Sequence, residues 1–380
     1  MIIFKESNKL CQLMGIRYPI FQAGMSGPST PELVAAVSNA GGLGILGAES
    51  FTQDQLIEKI KYIRKLTDLS FGINILLVKQ VSKLDTKQCS DTQQFLNSIR
   101  DDLEIPKKDD IVMSKCFPPE IKSLTKDIEE KIKIMIEMEV PLISFGLGDP
   151  TPYIKQIQIN SNSKIMSMVT TVDEAIYVAH NGVDIVAAQG GEAGGHRSSI
   201  TNNFDSGIPL IGTMTLVPQV VDALANIHKE KGVLTIAAGG IMNGRGLIAS
   251  LCLGASGVLM GTRFLLAKES SVFQGYKNKL LDSKETDTVI TKAYSGMPAR
   301  SIRNEFTNRY EDIKPKILPW PLQWENCKEI YEHSKRQNTA DFYPILAGQG
   351  IRLLKHDQSA ADIIKEIIKE AKSIIAIISE

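Results

Sequence analysis

Cysteine is scarce in this 380-residue chain, and what there is makes no pattern. Cys11, Cys89, Cys116, Cys252 and Cys327 are scattered, odd in number and without a C-x-x-C pair. That excludes a disulfide framework and a structural zinc. Net charge is missing too: 43 Lys and Arg face 43 Asp and Glu. A polyanion-binding surface tips that balance toward basic, so no nucleic-acid partner is expected. Long apolar runs are also absent. The opening MIIFKESNKLCQLMG meets Lys5 and Glu6 before any signal-peptide core develops, and SIIAIISE is far too short to span a bilayer. A cytoplasmic protein with reduced thiols and no membrane contact is expected. Histidine is sparse, and no two histidines have metal-ligand spacing beside an acid, so no metal is expected.

What the chain does have is regular alternation. Short β-prone runs occur at 19–24, 43–48, 71–77, 141–148, 164–170, 184–190, 234–240 and 257–262, each followed by a helical pattern. Each run is continuously apolar, as in parallel strands covered on both faces. Helix starts agree: Thr30 precedes Pro31, and Thr52 with Gln55 and Thr171 with Glu174 have capping-box spacing. Eight βα units close most economically into an α/β (β/α)8 TIM barrel, an open doubly wound sheet being the alternative. The expected organisation is a barrel over 1–266 with an insert at 79–118 after the third strand. A cap region follows at 267–350, holding Trp320 and Trp324, and then a segment at 351–380. In that last segment Ile363, Ile364, Ile367, Ile368 and Ala371 fall at helical spacing, so it is expected to pack on the barrel as a helix.

In such a barrel, ligands bind at the C-terminal ends of the strands, and a phosphate often sits after the seventh and eighth. Those two ends read AAGG, with Gly239 and Gly240, and LMGT, with Gly261 and Thr262. Glycines there let backbone N–H groups point at a phosphate. The first strand ends in QAGMSG, with Gly24 and Met25; Asn74 is a polar amide inside the third; Gln189 ends the sixth. Amides and glycines at four strand ends suit a flat ring offering both N–H and C=O, together with a phosphate, as in flavin mononucleotide (FMN). The glycine-rich AAQGGEAGGHR (187–197) then carries His196, the one histidine in a loop at that end. His180, His228, His333 and His356 lie in helical or polar contexts. A neutral imidazole can accept a proton or hydrogen-bond a developing anion. Glu192 is read as a structural acid bonding the loop's own N–H groups in preference to an acid/base role.

With those residues in view, the chain resembles the class I nitronate monooxygenases, formerly called 2-nitropropane dioxygenases. The resemblance runs through YPIFQAGMSGPSTPELVAAVSNAGGLG, FGINIL, FGLGDP, AAQGGEAGGHR, AAGGIMNGRG, GASGVLMGTRF, SGMPAR and AGQG, from residue 15 to about 350. It implies an FMN-dependent barrel enzyme that oxidises alkyl nitronates with O2 to a carbonyl product and nitrite, without external reductant. Propionate 3-nitronate is the implied substrate class and detoxification the implied role. It also implies flavin contacts at Ala23, Gly24, Met25, Asn74, Gln189, Gly194, Gly195, Gly239, Gly240, Leu259, Met260, Gly261 and Thr262, and a catalytic His196. Partners would be the small-molecule nitronate and O2, in a monomer or homodimer. Two positions depart from the family pattern: Leu259 replaces a glutamine and Met297 an arginine. Flavin-dependent NAD(P)H reductases of the enoyl-acyl-carrier-protein or quinone type share part of the same strings. The insert and the cap favour the monooxygenases.

Overall fold

The computed structural model describes residues 7–78, 86–109, 122–201, 207–225, 227, 232–313 and 317–379. His228, Cys116 and much of the 79–118 insert lie outside the described residues. Eight parallel strands close a barrel: β1 (Ile20–Gln22), β2 (Leu43–Gly47), β3 (Gly72–Leu76), β4 (Leu142–Gly146), β5 (Lys164–Val169), β6 (Ile185–Gln189), β8 (Leu234–Ala238) and β9 (Gly257–Met260). This is the (β/α)8 fold expected from the alternation. β7 (Gly195–His196) lies outside the barrel and joins β10 (Thr288–Thr291) and β11 (Ala299–Ile302) in a small sheet of order β10-β11-β7.

Each strand falls inside its expected run, and β1, β6, β8 and β9 stop before the glycines at the ends of theirs, which belong to the loops. Gly239 and Gly240 after β8 adopt φ of +116° and +68°, a region glycine enters without steric cost. Two helix starts match their sequence signals. Thr30 accepts from Leu33 N ahead of Pro31, and Thr52 and Gln55 close a reciprocal capping box. At the third, Thr171 accepts from Glu174 N, but the Glu174 carboxylate turns away to Thr170 N, Ser199 Oγ and Ile200 N.

Register fixes which side chains fill the barrel. Phe145 stacks on Tyr153 of helix Thr151–Asn160, and a Cβ on Gly44 would strike the Val34 backbone, so both positions face outward. Side chains alternate along a strand, so Ile45, Gly47 and Ser144 face inward. The pairs Gly47↔Asn74, Asn74↔Ser144, Met168↔Ala187, Gln189↔Ala238, Ala238↔Leu259 and Phe21↔Leu259 carry that face around the closed sheet. Asn74, Met168, Gln189, Ala238 and Leu259 therefore line the inside at the C-terminal mouth.

Three apolar clusters organise the rest. Ile363, Ile364, Ile367, Ile368 and Ala371 of helix Ala360–Ile378 belong to the barrel core. Phe95, Leu96 and Ile99 of helix Thr86–Asp102, within the insert, share a second core with Tyr294, Phe306, Tyr310 and Tyr331. The third joins Met242, Leu265 and Leu266 to Tyr276, Ile345 and Ile351. Among the described residues no helix is long and apolar enough to cross a membrane, and no cluster of His, Cys, Asp and Glu could hold a metal ion.

Candidate active site

The inner face at the mouth sets the amides of Asn74 and Gln189 among the apolar Met168, Ala238 and Leu259. Asn74 is 7% exposed, and its Oδ1 accepts from Ser144 Oγ at 2.8 Å. That bond turns Nδ2, which takes no partner among the described residues, away from Ser144. Gly24 lies against it: a Cβ there would stand 2.6 Å from Asn74 Cβ. Ala23 N donates to Met260 O (2.9 Å) and Met25 N to Ser29 Oγ (2.9 Å), fixing the β1 loop beside β9. A Cβ on Gly261 would meet only Ala23 Cβ and Met25 Sδ, both at 3.7 Å. No protein neighbour demands glycine at that position.

The Gly190–Arg197 loop is held by side chains that sequence reasoning assigned otherwise or overlooked. Gln189 spends its amide on the loop, donating to His196 O (3.0 Å) and accepting from Ser198 N (2.9 Å). Arg197, fully buried, donates to Gly190 O (2.7 Å), Gln189 O (2.9 Å) and Pro209 O (3.2 Å). Arg300 donates twice to Gly191 O, at 3.0 and 2.7 Å. Burial, and to a lesser degree Arg300, pushes the Arg197 guanidinium down to about 10, opposed by Glu192 and Glu174. Glu192 is structural, though its partners differ from those expected. Both oxygens accept from Thr213 N at 2.9 Å, and Oε2 also accepts from Thr213 Oγ1, so it caps helix Thr213–Ala225. A carboxylate at a helix N-terminus is favoured by the dipole.

The glycines answer to the distant AGQG segment. A Cβ on Gly194 would stand 2.5 Å from the Ala347 carbonyl carbon and from Gly348 N. Gly348 N donates to Thr262 Oγ1 (2.9 Å) and Gln349 N to Glu192 O (2.9 Å), so this strap ties the β6 loop to the end of β9.

His196 sits where barrel and cap meet. Its strand β7 pairs with β11 through Ala299↔His196, and Arg197 N donates to Pro298 O (2.8 Å). Its Nε2 lies 2.7 Å from Ser295 Oγ, and its ring meets Trp320 edge-on at 6.4 Å. Trp320 leads through Trp324 to Tyr331 in the cap core. Burial pushes the imidazole down to about 4, so the ring is neutral near pH 7.

The family model described as "Nitronate monooxygenase" matches residues 7–370. The chain belongs to the nitronate monooxygenase family. A probable nitronate monooxygenase of Staphylococcus saprophyticus is 38% identical, with 98% of this chain and 99% of that protein covered. Among solved structures, the nitroalkane oxidase of Streptomyces ansochromogenes matches with a TM-score of 0.83 at 28% identity, over 97% of this chain and 99% of that one. FabK from Thermotoga maritima matches with a TM-score of 0.74 at 30% identity, over 98% of both chains. The insert and the cap therefore do not by themselves set this chain apart from FabK.

Members of the nitronate monooxygenase family are flavin-dependent oxidoreductases, and the mouth fits a flavin. The unpaired Asn74 Nδ2 offers a donor to a ring edge. Gly261, where an added Cβ would meet nothing closer than 3.7 Å, leaves room beside Ala23 and Met25. The N–H groups of Gly239 and Gly240 bond to no other backbone among the described residues. Ser295, Arg197 and Arg300 are the functional residues missed in the sequence. Their only signal was position, inside GGHR and SGMPAR, because the His196 ring that Ser295 meets and the loop carbonyls that Arg197 and Arg300 reach are brought close by folding.

Proposed function

We propose that this enzyme binds FMN at the C-terminal mouth and oxidises alkyl nitronates, with propionate 3-nitronate as representative, by O2 to a carbonyl product and nitrite without external reductant. The single observation that carries the reading is His196, a neutral imidazole held at the barrel mouth under Trp320 of the cap. Bound FMN supplies the electron acceptor that the nitronate needs and that O2 reoxidises. The chain supplies the rest. Asn74 would meet the ring edge, and Ala23, Gly24, Met25, Leu259 and Met260 its surroundings. Gly239, Gly240, Gly261 and Thr262 would hold the phosphate through backbone N–H groups. Gln189, Gly194 and Gly195 act through the loop they shape. His196 would bind the nitro oxygens of the substrate, and Trp320 excludes water beside it. The barrel (1–266, with the insert 79–118), cap (267–350) and terminal helix segment (351–380) are proposed as units, the insert sharing with the cap a core apart from that of the barrel. A cytoplasmic detoxifying enzyme, monomeric or homodimeric, fits this chemistry.

The test is oxygen uptake and nitrite release by the purified yellow protein with propionate 3-nitronate and no nicotinamide. Uptake with matching nitrite is expected, with anaerobic NADH reducing the flavin only slowly. Rapid bleaching by NADH, with no response to the nitronate, would overturn the proposal in favour of a reductase.

A further inference from the structure

We infer that Ser295 is a positioning residue that fixes the tautomer of His196, so that the ring donates to a pre-formed anion and does not act as a base toward neutral nitroalkanes. The substrate class rests on the nitronate reading; the tautomer does not. Ser295 is 1% exposed, so its hydroxyl must find its partners within the protein. Three groups surround Oγ: His196 Nε2 at 2.7 Å, Met297 N donating at 3.3 Å, and Met297 O at 3.4 Å. Met297 N takes one lone pair of the oxygen. The single hydroxyl proton then has two acceptors, a short one on the imidazole and a long one on Met297 O. A contact of 2.7 Å is an ordinary strong O–H donation, whereas 3.4 Å is marginal.

The proton therefore goes to Nε2. A neutral imidazole with Nε2 accepting carries its own hydrogen on Nδ1. Nδ1 has no partner among the described residues, and it is not one of the sealed, unpartnered buried atoms. It is left as the ring's outward-facing donor. The lone pair that a general base would use is spent inside the protein. Burial holds the imidazole down to about 4, so the ring carries a single hydrogen near pH 7.

The turn that carries Ser295 is clamped. Gly296 N donates to Lys292 O (2.8 Å). Gly296 has φ +83°, and a Cβ there would stand 2.3 Å from Leu318 O and 2.7 Å from Trp320 N. The same backbone contact therefore sets both the serine and the tryptophan that flank the ring. Nδ1–H would then favour a nitronate, whose negative oxygens accept a charge-assisted bond, over a neutral nitro compound.

The test reads the ring directly. Full-length holoprotein labelled with 15N-histidine is examined by long-range 1H–15N correlation near pH 7, with His196→Gln assigning the signal. Wild type should show hydrogen on Nδ1 and none on Nε2. Ser295→Ala should move the population toward Nε2–H, and Ser295→Thr should restore Nδ1–H. In kinetics, Ser295→Ala should raise KM for a nitronate by roughly tenfold, the scale of one hydrogen bond to a charged group, with a smaller change in kcat. The nitronate-to-nitroalkane activity ratio should fall with it. Nε2–H in the wild type, or a tautomer indifferent to Ser295→Ala, overturns the inference. Should Ser295→Ala fail to fold, the wild-type and Ser295→Thr spectra still decide. If the enzyme turns over no nitronate at all, the spectra still judge Ser295, and the failure belongs to the proposed function.

Discussion

Gly194 and Gly195 are neighbours with opposite tolerances. Gly195 has φ +78° but nothing within 4 Å of an added Cβ, so alanine there costs about 1–2 kcal/mol of backbone strain. Alanine at Gly194 would drive its methyl into the Ala347–Gly348 backbone at 2.5 Å, with no flexible side chain to yield. Gly194→Ala should therefore lower the unfolding midpoint well below that of Gly195→Ala and weaken flavin retention. Equal losses would show that the strap does not press on the loop. His196 gives a second expectation at this scale. Burial lowers its folded pKa to about 4, against 6.5 ordinarily. On acidification the unfolded chain takes up the proton first. The stability linked to this ring is intact above pH 6.5, is lost as pH falls from 6.5 toward 4, and changes no further below that. Between pH 7 and 5 the wild type should lose about 1 kcal/mol more than His196→Gln, allowing for partial exposure of the ring. Urea midpoints at the two pH values check it. His196 itself was legible, as the one histidine in a glycine loop at a strand end. The tasks of Arg197 and Arg300 were not, because a sequence does not display which carbonyls a guanidinium will reach.

Helix Ala360–Ile378 shows how a terminal element supports a site it does not enter. Its apolar face completes the barrel core, and Gly244 lets it approach so closely that a Cβ there would stand 2.4 Å from Ala371 N. Glu370 Oε2 accepts from Gly244 N (2.7 Å), bracing the helix that follows the Gly239–Gly240 turn. Ile367→Ala should cost about 2–5 kcal/mol, the range for deleting a buried aliphatic side chain. Thermal unfolding measures it, and a loss under 1 kcal/mol would mean that the helix is an appendage. This element was legible because its isoleucines repeat at helical spacing. The barrel strands were legible for a related reason: each is a continuous apolar run that glycine or proline punctuates. Their ends were overestimated where terminal glycines, apolar by composition, belong to loops. The β7–β11–β10 sheet gave no local signal. β7 has two residues, one of them glycine, and its pairing with Ala299 and Arg300 exists only through tertiary contact.

Across the whole molecule, the segments that read as a separate insert and cap share one interior. Phe95 meets Tyr310 edge-on at 4.4 Å, Arg100 donates to Asn326 O (2.7 Å), Gln88 Nε2 to Ile317 O (2.8 Å), and Lys108 pairs with Glu329 at 3.0 Å. Apolar spacing shows which face of helix Thr86–Asp102 is buried but not what covers it, so this union could not be read beforehand. It bears on the site, because the same cap carries Ser295 and Trp320 to His196. Phe95→Ala should cost about 3–5 kcal/mol, as for an aromatic removed from a packed core, and the loss should be felt wherever that core extends. Hydrogen exchange should therefore quicken in helix Thr86–Asp102 and in helix Leu322–Arg336 together, while the barrel strands keep their protection. Nitronate oxidation should fall along with the cap's protection, because Trp320 connects through Trp324 to Tyr331 in that core. Faster exchange confined to helix Thr86–Asp102, with activity intact, would show that the insert rests on the cap without supporting it.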